Sequence, residues 1–156
     1  MYKTAVRALM RHGLKRLNAG DGSFIMAMAS PTATLSFPGD NSWATMYRPV
    51  VKSREAHITH RGPEELQGFV DRFVDHHLEF HVEDILVNGL PHRTRVAVRG
   101  QMAIPGAGPR EPDEYNNRIV AFITIRWGRM SSWEDYEDTE RASAWDAARA
   151  VPATAG

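Results

Sequence analysis

Apolar residues recur at helical spacing from the start of the chain, where Val6, Leu9, Met10, Leu14 and Leu17 share one side of residues 3–19. Gly20 stands where that helix stops. Asp21 or Ser23 can cap a second, short helix over 24–28, which Pro31 ends. The period then changes to two: Ala33, Leu35 and Phe37 alternate with polar residues and predict a strand over 32–37, closed by Pro38, Gly39, Asp40 and Asn41. Residues 42–61 have no clean period and read as a long loop with room for a short strand.

Gly62, Pro63, Glu64 and Glu65 open a third helix, since proline suits the first turn and acids there meet the positive helix end. Its stripe is Leu66, Phe69, Val70, Phe73, Val74 and His77. From Glu79, Phe80, Val82, Asp84 and Leu86 alternate, Asn88-Gly89 predicts a turn, and 94–102 alternates again, so a hairpin follows. Residues 104–114, rich in proline and glycine, predict a loop. Strands over 115–126 and 129–137 join tightly at Trp127-Gly128, and a helix over 139–149 ends the pattern. Helices followed by a run of four strands predict an α+β domain, with helices on one face of a curved antiparallel sheet and a pocket between them. One domain spans 1–150, and the small-residue stretch 151–156 is expected to be a mobile tail.

Composition changes this picture by exclusion. The 156 residues include no cysteine, which removes disulfides, thiolate nucleophiles and cysteine-bound zinc and fits a reducing compartment such as the cytoplasm. Lys plus Arg equals Asp plus Glu at 19 each, so the balance gives no argument for a nucleic-acid or membrane partner. No apolar run reaches the length of a signal-peptide core or a membrane span. Gly106 and Gly108 sit among prolines with no helix to follow, so no phosphate loop is formed and no cofactor is expected. His76, His77 and His81 do not share a face if 79 begins a strand, and His57 and His60 lie in a loop without an acid motif, so no metal site is expected.

The element order, with LNAGD at 17–21, FPGD at 37–40 and WGRMSSWEDYED at 127–138, resembles the SnoaL-like branch of the nuclear transport factor 2-like superfamily over roughly residues 3–140. The resemblance implies a cone-shaped curved sheet wrapped around helices, an internal apolar cavity that takes a small apolar molecule, and a homodimer packed through the sheet. It does not fix a reaction, because cyclases, isomerases, hydrolases and silent modules share this fold. Steroid isomerases of the family place a general base where this chain has Phe37, a tyrosine donor at Gly13, and an acid partner near Val120 or Ala121. SnoaL-type cyclases place their aspartate at Ala121. Limonene-type epoxide hydrolases combine Asp, Arg and Asp; Asp135 and Arg95 match two of these, and Ala97 replaces the third, leaving Glu83 or Glu137 as a substitute acid.

Asp135 is therefore the candidate catalytic acid-base group and Arg95 its partner. On a strand, Ser131, Trp133, Asp135 and Glu137 share a face; burial beside the Trp133 ring would raise the Asp135 pKa, and Arg95 would oppose the rise. The alternative, and the commoner arrangement, is a buried structural acid paired with Arg95 or Arg99. Arg95, Arg99 and Gln101 form a row suited to an anionic or carbonyl-bearing ligand, or to the solvated side of a sheet. Trp133, Trp43 and Tyr47 offer flat surfaces to a ligand or fill the core, and His57 and His81 are candidate cavity acid-base groups. Three readings follow: an acid-base enzyme on a small apolar carbonyl or epoxide, a non-catalytic dimeric ligand-binding or assembly module, and a scaffold using its outer sheet.

Overall fold

A computed structural model of the chain describes residues 1–39, 57–108 and 111–150. Trp43, Tyr47, most of the expected 42–61 loop and the 151–156 tail lie outside these residues. The described elements run α1 (Tyr2–Asn18), α2 (Ser23–Met28), β1 (Ala29–Pro38), β2 (His57–Arg61), α3 (Gly62–Asp75), β3 (Glu79–Leu90), β4 (Arg93–Ile104), β5 (Tyr115–Arg126), β6 (Arg129–Glu137) and α4 (Thr139–Ala150). The strands form one six-stranded sheet in the order β2-β1-β6-β5-β4-β3, so the α+β expectation holds.

The sheet is mixed rather than antiparallel throughout, because β1 lies parallel to β6. Strand β1 lies between β2 and β6, second from the sheet edge. Pro31 falls inside β1 instead of ending α2; lacking an N–H, it coincides with the interruption of pairing between Ala29 and Thr34. The β3–β4 turn is Pro91-His92, not Asn88-Gly89, which stay in the ladder opposite Arg95 and Thr94. Inward packing of Ile85, Val87, Val96 and Val98 sets that register, overriding the local turn preference of Asn-Gly. Trp127 and Gly128 both have positive φ, 51° and 80°, as a type I′ hairpin turn requires.

Helices α1 and α3 bury Leu14, Leu17, Phe69, Val70 and Phe73 against the concave face. His77 leaves the expected stripe: α3 ends at Asp75, His77 takes φ 53°, and Leu78 fills the core in its place. Arg61 N–H donates to Glu65 Oε2 at 2.7 Å, closing the start of α3. Asn18 clamps the edge strand, accepting from Phe80 N at 2.8 Å and donating to Phe80 O at 3.0 Å. At the far end Tyr2 Oη meets Thr94 Oγ1 at 2.5 Å, while Thr94 donates to Leu90 O.

Bulges bend the sheet over these helices. Glu83 is the extra residue where Val82 pairs with Gly100 and Asp84 with Arg99, so the inward parity switches from Phe80 to Ile85, and Leu86 turns outward at 62% exposure. Gly100 permits the bend: a Cβ there would stand 2.2 Å from His81 O and 2.8 Å from Phe80 Cε1. At Gly128 a Cβ would meet nothing within 4 Å. Gly100→Ala is expected to cost about 1–3 kcal/mol through backbone displacement, whereas Gly128→Asn, in a left-handed position asparagine accepts, stays within about 0.5 kcal/mol. Urea unfolding of the two variants checks this, and equal costs would contradict the assigned role of the bulge.

Candidate functional site

The inward parity of β6 places Trp133, Asp135 and Glu137 toward the helices, opposite Ile123, Ala121 and Ile119 of β5. A second bulge, at Ser131 between the Thr124–Ser132 and Ile125–Met130 pairs, sets that parity while keeping Met130 buried as well. Asp135 is only 1% exposed. Trp133 Nε1–H donates to its Oδ1 at 2.6 Å, an i, i+2 contact along one strand face. Burial holds the Asp135 carboxyl well above the usual carboxylate range; the indole N–H opposes this shift, and the neighbouring Glu137 charge adds to it.

Asp135 and Glu137 line a cavity of about 20 Å³ with Phe37, Phe69, Phe73, Leu78, Met102 and Tyr115. That volume accommodates roughly one water molecule, not an organic ligand. One wall is polar and ordered: Asn117, 3% exposed, donates through Nδ2 to Tyr115 Oη at 2.9 Å, to Asp138 O at 3.0 Å and to Glu137 Oε2 at 3.3 Å. Its Oδ1 accepts from Asp138 N, which fixes the amide orientation. Burial and the Glu137 charge push the Tyr115 phenol up to about 12, so it stays protonated. Asp138 then caps α4, accepting from the N–H groups of Glu140 and Arg141, both at 3.1 Å. Trp145 of α4 packs over Tyr115 with ring centroids 5.1 Å apart.

The expected Asp135–Arg95 partnership is not formed. Val98 pairs with Ala121 and Ala121 with Asp135 on the inner face, whereas Arg95 pairs with Thr124 and Thr124 with Ser132 on the outer face. Arg95 instead lines an open outer groove of about 760 Å³ with Arg93, Ser132, Glu134 and Tyr136. Arg99 is also outside, 3.4 Å from Glu83 in an exposed ion pair, so Glu83 is not the substitute acid. Exposed His81 stands 3.1 Å from Glu79 rather than in the cavity. His57 opens β2 opposite Pro38, and its side chain lies outside the described residues. Trp133, 4% exposed, lines a small apolar pocket of about 10 Å³ with Met10, Phe24 and Ile25.

The apolar residues at the family's acid positions have structural reasons. The Phe37 ring packs tilted against Phe69 with centroids 5.3 Å apart, Ala121 is fully buried directly opposite Asp135, and a Cβ on Gly13 would run into Phe24 at 2.8 Å. The residues missed as a group are Tyr115, Asn117 and His60. Asn117 breaks the otherwise apolar inward row of β5, a signal present in the alternation itself. His60, 1% exposed on β2 opposite Leu35, lies 3.3 Å from Glu65 and 6.0 Å from the Phe37 ring. Among the described residues, no three His, Cys, Asp or Glu side chains come together as a metal site. No helix among them is long and apolar enough to cross a membrane.

The raised Asp135 pKa has a signed consequence for stability. The folded chain keeps a proton that the unfolded chain releases near pH 3.9, so stability falls as pH rises from there through the folded pKa and then levels off. Asp135→Asn removes this slope. Its Tm is expected to gain on the wild type as pH rises above about 4, with a stability difference of roughly 1.4 kcal/mol for each unit of pKa elevation. Parallel melting curves for the two proteins would contradict the raised pKa.

The sequence profile of the SnoaL-like domain matches residues 6–133. No curated protein matches the chain at a significant level. Among solved structures, a nuclear transport factor 2-like protein of unknown function from Burkholderia pseudomallei superposes with TM-score 0.66 at 15% identity, covering 90% of this chain and 95% of that one. A putative SnoaL-like polyketide cyclase from Jannaschia sp. CCS1 gives 0.58 at 14% identity, covering 93% and 92%. A cystatin-like-fold protein of unknown function from Methylobium petroleophilum gives 0.59 at 12%, covering 86% and 76%. At these identities the structural neighbours speak for the fold alone, and the profile match over most of the length carries the assignment: the chain belongs to the SnoaL-like domain family.

Proposed function

We propose that this SnoaL-like protein performs acid-base chemistry on a small apolar carbonyl or epoxide compound, with Asp135 as the proton donor. The observation that carries the reading is a carboxyl 1% exposed, with its pKa raised by burial, in a cavity wall shared with Glu137 and Tyr115. A carboxyl that keeps its proton above the usual carboxylate range can give it to a carbonyl or epoxide oxygen. Glu137, beside it on the same face, supplies the second carboxyl that the Ala97 position lacks and takes a proton from carbon or water. Trp133 is a positioning residue, holding the Asp135 carboxyl through its indole N–H. Phe37, Phe69 and Phe73 favour an apolar substrate body.

The volume of about 20 Å³ favours a second reading, a non-catalytic binding or assembly module in which Asp135 is a sealed core acid. In the catalytic reading the cavity widens to admit substrate, and α4, held through Trp145 over Tyr115, is the element nearest its polar wall. A homodimer through the outer sheet face is part of either reading, supported by exposed Phe122 and Tyr136 in edge contact at 5.7 Å.

Proton transfer next to a carbonyl leaves a label. Incubation with cyclohexanone and 2-decalone in deuterated buffer, followed by mass spectrometry, is expected to show enzyme-dependent deuterium uptake at the α-carbons. Asp135→Asn and Glu137→Gln should each lower the rate by roughly 10²–10⁴-fold. For the epoxide branch, cyclohexene oxide is expected to give the diol with the same dependence. Absence of uptake and of diol, in a folded protein, supports the silent module.

A further inference from the structure

The formal charge of zero conceals a strong segregation. Residues 1–20, 85–110 and 115–133 contain no aspartate or glutamate. The fold brings parts of all three to one end of the sheet: Tyr2 bonds Thr94, Trp127 N donates to Pro91 O at 2.7 Å, and the His92 and Trp127 rings lie 6.2 Å apart. Two neighbouring hairpin turns form this end. Leu90 and Arg93 flank one, Arg126 and Arg129 the other. Among the described residues, none of Arg93, Arg126 and Arg129 has a carboxylate partner within ion-pair distance. Lys3 at the start of α1 adds a further exposed cation.

The apolar residues of this end are the opposite of what folding alone would select. Trp127 is 77% exposed and Leu90 62%. Trp127 also occupies a left-handed position, φ 51°, which asparagine, aspartate or glycine takes with less strain. A bulky indole held at a strained, solvent-facing turn marks a position kept for contact. Its neighbours state the sign of the partner. A second copy docked through this end would set arginine against arginine, and so is disfavoured. The outer groove beside this end does carry Arg93, Arg95 and Arg126 with the Phe122 and Tyr136 rings, but Glu134 shares it, and Trp127 and Leu90 project from the turns outside its lining, as a headgroup anchor does rather than a stacking track. Indoles favour the headgroup level of a bilayer, and guanidinium groups pair with phosphates.

We propose that this end of the molecule docks reversibly on an anionic lipid surface, with Trp127 and Leu90 entering the headgroup layer and Arg93, Arg126 and Arg129 holding lipid phosphates. The surface is separate from the Asp135 cavity and does not depend on the catalytic reading.

Sedimentation of the full chain with vesicles tests it, using phosphatidylcholine alone and an equal mixture of phosphatidylcholine and phosphatidylglycerol. The protein is expected to sediment with the mixture only, and to be released near 1 M salt, where the screening length falls to about 3 Å. Replacing Arg93, Arg126 and Arg129 together by serine should weaken partition by roughly a hundredfold. Trp127→Asn should weaken it by about tenfold while leaving Tm unchanged or raised, because asparagine relaxes the turn. That pairing of lost docking with kept stability separates contact from folding. Failure to sediment with the mixture, equal binding to phosphatidylcholine alone, or wild-type binding by both variants overturns the proposal. So does retention of a single-stranded DNA oligonucleotide through the same arginines in place of vesicles.

Discussion

The contact between the Asp135 carboxyl and the Trp133 indole N–H ties the sheet, the cavity and the proposed chemistry together. A carboxyl with 1% exposure is costly to ionise, and one indole donor at 2.6 Å only partly offsets that cost. The result is an acid that holds its proton where a solvated aspartate has lost it. Around it the interior is arranged by size as much as by polarity. Ala121, directly opposite, leaves room for the carboxyl, and Phe37 and Phe69 line the small cavity beside it. The Asn117 amide, oriented by the Asp138 backbone, then fixes Tyr115 and touches Glu137, so the polar wall behaves as one connected unit.

This site depends on curvature, and curvature depends on two single-residue bulges. Glu83 switches the inward face of β3, and Ser131 does the same for β6. Without the second, the parity that buries Met130 would turn Trp133, Asp135 and Glu137 toward solvent. Gly100 lets the His81 carbonyl approach closely enough for the first bend. The inward face that carries Asp135 is thus a product of register, and a local slip would remove it wholesale.

Much of this was legible in the sequence. The 3.6-residue stripe of Val6, Met10, Leu14 and Leu17, and the alternation of Ile119, Ala121 and Ile123, are strong signals because each element buries one face only. The placement of Asp135 beside Trp133 followed from the same alternation. What alternation cannot supply is register between strands. It put Arg95 opposite to Val96 correctly, yet the pairing of Arg95 with Thr124, and hence its separation from Asp135, emerges only when β4, β5 and β6 are aligned. The Pro91-His92 turn was hidden by a stronger local signal at Asn88-Gly89, overruled by packing of Ile85 and Val87. The parallel β1–β6 pair and the polarity of the molecule's ends are long-range properties. Equal counts of acid and base gave no hint of the basic end, because charge balance says nothing about where charges meet.

In this account Asp135 holds its proton well above the pH at which a free aspartate loses it, because its surroundings are apolar. Carbon-detected NMR titration of its side-chain carboxyl, assigned by comparison with Asp135→Asn, measures this directly. The account requires a midpoint well above the ~3.9 of a free aspartate. A midpoint at or below that value would mean that the carboxyl is ionised and compensated in the folded protein, and would remove the proton donor on which the proposed chemistry rests.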